Sequence, residues 1–262
     1  MASTIQNTDV KQKDADRAVV VAVTSREVFK NGPDDGGEIL EIDESHLLLK
    51  LLHRVNERLE EENPEEPLLF DVILITTDSQ RQQQSSRIIS STKHYGLEIS
   101  RFCFASEDDF AEGLQKNNVQ LFLTTDRNEA SQAAQKGVLS ALLDQRVAFS
   151  PSDQLRVMFC EDAVIQPDSG HTPASTERAV QSFAAQMGEM RRRFRLSDSP
   201  LSFILVTLHG GRDRCADSLL TLRSSGLSVD EAYCLAGAPR GPILSVLQPH
   251  FMISISSSGL EK

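Results

Sequence analysis

The chain has no tryptophan, no Cys-x-x-Cys pair among its four cysteines and no excess of basic residues. Cys103, Cys160, Cys215 and Cys234 stand far apart, so neither a zinc site nor a disulfide framework is suggested, and reduced, mostly buried thiols are expected. A formal net charge of −11 disfavours nonspecific nucleic-acid binding and attachment to an anionic membrane surface. The one dense basic cluster, Arg191, Arg192, Arg193 and Arg195, has no interleaved aromatics and is expected to be a solvated helix end. No apolar run reaches the ~18 residues that a membrane span needs. The opening MASTIQNTDVKQKDADR has no apolar leader segment, so a cytoplasmic location is expected.

Several catalytic motifs are missing too. His209-Gly210-Gly211 resembles an esterase oxyanion loop, but there is no G-x-S-x-G elbow to accompany it. Gly237-Ala-Pro-Arg-Gly241 lacks the spacing of a P-loop. His46, His53, His94, His171 and His250 form no H-x-x-x-H pair and are expected to be structural or surface residues. His209 differs, because it lies two positions after a strand-end threonine, where it could face a cleft.

What is present is an ordinary globular composition, 39% hydrophobic and 25% charged over 262 residues, enough for one sizeable core. Residues 1–16 are polar and read as a disordered N-terminal tail, 17–255 as one α/β domain, and 256–262 as a flexible C-terminal tail. Apolar β-branched runs predict strands near 18–23, 70–75, 98–104, 119–124, 155–159, 202–207, 231–235 and 250–255. Amphipathic stretches predict helices near 45–62, 79–94, 108–116, 128–136, 176–195, 213–225 and 241–248. In the first of these, Leu48, Leu51, Leu52, Val55 and Leu59 form one stripe, and Pro64 follows its end. Segments 31–44 and 166–175 read as loops, and no internal repeat is evident. The alternation predicts a doubly wound, mostly parallel sheet.

In such sheets ligands bind beyond the carboxyl ends of the strands. The residues to watch are therefore Thr24-Ser25-Arg26, Thr76-Thr77-Asp78, Cys160-Glu161-Asp162, Thr207-Leu208-His209 and Ala236-Gly237-Ala238-Pro239-Arg240. A lone strand-end threonine is also an ordinary helix cap.

Five blocks carry a resemblance. Ala18-Val-Val-Val-Ala-Val-Thr-Ser-Arg-Glu-Val-Phe29, His94-Tyr-Gly-Leu-Glu-Ile-Ser-Arg-Phe-Cys103, Gln154-Leu-Arg-Val-Met-Phe159, Thr221-Leu-Arg-Ser-Ser-Gly-Leu227 and Leu235-Ala-Gly-Ala-Pro-Arg-Gly-Pro242 resemble the cytosolic type I 5′-nucleotidases, in that family's order. The resemblance implies a haloacid-dehalogenase-like fold and Mg²⁺-dependent removal of the 5′-phosphate from nucleoside monophosphates such as AMP. It further implies an Asp-Gly-Asp after the Gln154–Phe159 strand, the first aspartate a nucleophile and the second an acid and base. This chain has Cys160-Glu161-Asp162 there, so the acid/base position survives as Asp162 and the nucleophile position is degenerate at Cys160. Glu161 is expected to be a poor substitute, since successive side chains on an extended strand point to opposite sides.

By the same resemblance Thr207 holds the phosphoryl group, and Arg240 replaces a phosphate-binding lysine, keeping the charge and adding a fork of donors. A pair of metal-binding aspartates is implied where this chain has Ser254 and Ile255. Asp162 alone is a weak metal ligand at best, because Mg²⁺ needs several hard oxygen donors, and no cofactor is expected. The segment between Asp162 and the Phe203 strand is shorter than the family's cap, so the cap is expected to be reduced. These readings converge on a catalytically impaired pseudoenzyme that binds a nucleoside monophosphate or a protein partner. The alternative is an active AMP/IMP-type 5′-nucleotidase using Mg²⁺ and recruiting Asp78, Asp162, Glu161 or Asp168 as replacement carboxylates.

Overall fold

Strand β2 (Val19–Thr24) is buried at all six positions and β3 (Phe70–Thr76) at all seven, as continuous apolar runs predict for strands covered on both faces. The computed structural model describes residues 2–30, 37–77, 84–143, 154–165, 174–195, 198–208 and 211–255. It divides into two compact units, Met1–Thr124 and Thr125–Lys262. The segment 17–255, expected as one α/β domain, runs through both units.

In the first unit the strand order is β1-β4-β3-β2-β5, where β1 is Ser3–Gln6, β4 is Arg101–Phe104 and β5 is Leu121–Thr124. Strands β2 to β5 pair in parallel, and β1 joins β4 antiparallel at the edge. The helices are α1 (Ser25–Val28), α2 (His46–Glu62), α3 (Ser85–His94) and α4 (Phe110–Lys116). The predicted stripe of α2 is buried, and within it Asn56 donates to the Phe70 carbonyl at 2.8 Å and accepts from the Phe70 N–H at 2.7 Å. That two-way pairing fixes α2 against the start of β3.

Strand β1 lies within residues 1–16, the segment expected to be a tail. All four β1 side chains are exposed, so backbone pairing holds the strand, with Asn7 Nδ2 donating to the Ile99 carbonyl at 2.8 Å. A polar segment held that way has no hydrophobic signature to read. Residues 256–262 lie outside the described residues.

In the second unit the order is β6-β10-β7-β8-β9, with β6 at Leu139–Leu142, β7 at Leu155–Cys160, β8 at Leu201–Thr207, β9 at Glu231–Cys234 and β10 at Phe251–Ile253. Strands β10, β7, β8 and β9 run parallel and β6 pairs antiparallel with β10. The helices are α5 (Arg127–Gln135), α6 (Glu161–Val164), α7 (Ala174–Arg191), α8 (Gly211–Ser224) and α9 (Gly241–Leu247). The α/β class with mostly parallel strands is as expected. Helix α7 approaches the turn after α8 so closely that a Cβ on Gly188 would sit 2.2 Å from the Gly226 carbonyl oxygen. Arg191 is no solvated helix end: it donates to the Leu201 carbonyl at 2.7 Å and pairs with Asp230 at 2.5 Å.

Both units are wound alike. In each, the first parallel strand (β2 or β7) is central, the next two add on one side, and the last (β5 or β10) adds on the other. With right-handed crossovers this reversal sends helices to both faces and opens a switch point at the carboxyl end of the central strand. A single helical turn follows each central strand. Its flanking residues match, Thr24 (φ −76°, ψ 147°) with Cys160 (φ −90°, ψ 149°) and Phe29 (φ −122°, ψ 135°) with Ile165 (φ −119°, ψ 124°). The structure thus holds a topological repeat where none was evident in the sequence.

Candidate active site

The candidate residues that the resemblance singles out and that fall within the described residues lie at the switch point of the second unit, while Thr24-Ser25-Arg26 and Thr76-Thr77 belong to the first. Strand β7 delivers Cys160, 1% exposed, and the chain turns at once into α6, which carries Glu161 and Asp162. Extending the β10 register by one residue sets Ser254 beside Cys160. Ser254 Oγ, where the resemblance implies a metal ligand, donates to Asp162 Oδ2 at 2.7 Å. Ile255 follows directly and adds no donor. Thr207 ends β8, fully buried, with its hydroxyl a long 3.5 Å from the Tyr233 carbonyl.

Arg240 arrives by a tightly tied loop. Leu235 N–H donates to the Thr207 carbonyl at 2.8 Å and Gly237 N–H to the Leu208 carbonyl at 2.7 Å. The turn needs two successive left-handed residues, Ala236 (φ 49°) and Gly237 (φ 88°), and only the second is free of the Cβ penalty. Helix α9 then anchors the loop, burying Leu247 against Met158, Ile204, Val206 and Met252. Arg240, at the N-terminal boundary of α9 and only 7% exposed, directs Nη1 to Cys160 Sγ at 3.6 Å.

The electrostatics follow from burial. Loss of water raises the Cys160 pKa most, the Arg240 cation opposes, Asp162 adds to the rise, and the thiol is pushed up to about 12. It is a neutral sulfhydryl at physiological pH. The sequence left this contest between Arg240 and the acidic neighbours open, and desolvation, which outweighs both, decides it.

Glu161 is unavailable, for a reason the sequence did not supply. The strand ends before it, so alternation along a strand does not apply. Instead its carboxylate accepts from Leu208 N–H at 2.9 Å and lies 3.7 Å from Arg214 Nε. Nothing in the spacing of Arg214 announces that role. Asp78, Asp168 and His209 lie outside the described residues.

Whether Mg²⁺ suits these groups is a matter of donor chemistry. A magnesium ion wants octahedral oxygen ligands, usually including one or two carboxylates. The strand ends offer one carboxylate, a hydroxyl already bound to it, and a neutral thiol with a guanidinium at its side. That set does not fit, and among the described residues no cluster of three or more His, Cys, Asp or Glu converges to hold a metal. What the arrangement can do is present a cation and a hydroxyl to an oxyanion.

These features define an α/β protein with its polar residues gathered at a sheet crossover. Over residues 34–209 the sequence matches the 5′-nucleotidase family, to which the chain belongs. More narrowly, it is a member of the cytosolic 5′-nucleotidases: it is 32% identical to human cytosolic 5′-nucleotidase 1B over 227 residues, 77% of this chain and 37% of that relative. The chain therefore spans little more than a third of that relative's length. Among solved structures, a short chain dehydrogenase from Mycobacterium smegmatis matches 88% of this chain and 98% of its own at 9% identity, with a TM-score of 0.23 that carries no argument. No helix among the described residues is long and apolar enough to cross a membrane.

Proposed function

We propose that this chain is a cytoplasmic 5′-nucleotidase homologue that no longer hydrolyses phosphomonoesters and acts by binding a nucleoside monophosphate, with Arg240 and Thr207 receiving its phosphate. One observation carries the reading: the residue in the nucleophile position is a neutral thiol, buried and faced by Arg240. Attack on phosphorus needs an anionic or base-activated nucleophile; Glu161 is held by Leu208 and Arg214, and Asp162 is bonded through one oxygen to Ser254 rather than to Cys160. Phosphate-monoester hydrolysis is among the slowest uncatalysed reactions, so loss of nucleophile and metal together leaves almost no turnover. A reduced cap and a haloacid-dehalogenase-like ancestry are consistent with this reading. Binding is modest, because Asp162 opposes a phosphate dianion by as much as about 4 kcal/mol at 4 Å and an effective dielectric of 20.

Calorimetry with AMP and IMP, with and without Mg²⁺, tests the proposal alongside a phosphate-release assay. The expected result is millimolar binding indifferent to Mg²⁺, weakened by Arg240→Gln, with no turnover. No heat at millimolar nucleotide would leave only the protein-partner role. Phosphate release that disappears in Asp162→Asn would establish the active alternative and overturn the proposal.

A further inference from the structure

We infer that the first unit carries an oxyanion site of its own, for inorganic phosphate or a phosphomonoester, at the crossover of β2 and β5. The inference is independent of whether the second unit binds nucleotide.

The strand registers within the two units set equivalent positions in the same relation. Thr24 pairs with Ile75 and is followed across β3 by Thr76; Cys160 pairs with Val206 and is followed across β8 by Thr207. One step beyond the printed pairs, Thr24 faces Thr124 on β5 as Cys160 faces Ser254 on β10. Two residues past the central strand stands Arg26 in one unit and Asp162 in the other. The first unit thus repeats the constellation with a different composition, in which Thr24, Thr76 and Thr124 end the strands and Arg26 follows where the other unit has a carboxylate. Hydroxyl donors with a cation in place of an acid favour an anion, and no metal is needed to hold it.

A second observation points to a ligand. Thr24 is 1% exposed and its Oγ1 has no hydrogen-bond partner among the described residues. A buried hydroxyl without a partner is costly, and buried polar groups are paired as a rule. The unpaired group stands at the switch point, which is where doubly wound sheets bind ligands. Ser25, Thr76 and Thr124, all at most 2% exposed, complete a hydroxyl-rich end. Glu27, buried in the same turn, has interactions of its own.

The test uses the full chain and inorganic phosphate, followed by calorimetry and by amide shifts in nuclear magnetic resonance. Phosphate is expected to bind at about 10 mM or tighter and to move the amides of Ser25 and Thr124. Thr24→Val, which keeps the β-branched shape, should weaken this binding about 10- to 100-fold. Thr24→Ser should keep it, and Arg240→Gln should leave the Ser25 and Thr124 shifts intact. The inference is overturned if no phosphate binds, if all shifts vanish with Arg240→Gln, or if Thr24→Val binds as the parent does. A stability gain in Thr24→Val with unchanged phosphate binding would also count against it, marking the hydroxyl as a tolerated defect.

Discussion

Cys160 is expected to be the slowest thiol of this protein to alkylate, and the size of the effect follows from its surroundings. Moving a thiol from an ordinary 9 to about 12 corresponds to about 4 kcal/mol in favour of the neutral form. At pH 7.5 the thiolate fraction is then about 3 × 10⁻⁵, some three orders of magnitude below an ordinary exposed thiol. Since the thiolate is the reacting species, chemistry alone slows Cys160 about a thousandfold, and burial at 1% exposure slows it further. The exposed Cys234 is an internal reference, and Cys103, buried and also raised, is a second slow site. Native protein would be treated with iodoacetamide across pH 7 to 10 and each cysteine followed by peptide mass spectrometry. Arg240→Met removes the cation that opposes the rise among the described residues and should slow Cys160 again, provided the variant keeps its thermal unfolding midpoint. If Cys160 alkylated within about tenfold of Cys234, or with a pH midpoint below 9, the thiol would be an activated nucleophile and the pseudoenzyme argument would fail.

Gly188→Ala places a methyl against the Gly226 carbonyl and should cost about 2–3 kcal/mol in urea unfolding. His250 is neutral in the fold, its pKa held at about 4 chiefly by burial and also by Arg156, while its Nδ1 accepts from the Arg156 N–H at 2.9 Å. The unfolded chain binds that proton more readily, so stability is full above about pH 6.5 and falls by about 2–3 kcal/mol as the pH drops to about 4; His250→Asn should flatten that part of the unfolding profile. Asn56→Leu strands the Phe70 N–H and carbonyl together and should destabilise by about 2–4 kcal/mol, read by denaturant midpoint at constant slope. Cys160→Asp combined with Ser254→Asp should create measurable Mg²⁺ affinity by calorimetry, whereas no gain would mean that Arg240 pairs with the new carboxylate and keeps the ion out.

The strands and long helices were legible because burial on both faces leaves continuous apolar runs and burial on one leaves a stripe. Helix α2 was expected at 45–62 and runs over His46–Glu62, and every strand with such a run lies within a few residues of its expected place. Strands β1 and β6 were not legible, being four residues each, the first exposed and the second alternating only Leu139-Ser140-Ala141-Leu142. The strand ends that carry Cys160, Thr207 and Ser254 were legible, since each follows an apolar run. Their chemistry was not: the Arg240 contact with sulfur and the capture of Glu161 by Leu208 and Arg214 depend on residues up to 80 positions apart.

The repeat shows most clearly what a sequence withholds. The two central strands, Val19-Val-Val-Ala-Val-Thr24 and Leu155-Arg-Val-Met-Phe-Cys160, share an apolar character common to any buried strand, and the turns after them share almost no residues. What they share is a register, and register is a relation between strands 50 or so residues apart that is set by which crossover goes which way. Side chains at equivalent places were free to diverge, because the backbone turn after each central strand is specified by matching dihedrals that several residues satisfy, not by one residue type. A winding kept while its residues change is a scaffold on which chemistry is replaceable. Cys160 with Arg240 at the end of one central strand, and hydroxyls with an arginine at the corresponding places in the other unit, are two outcomes of that same freedom.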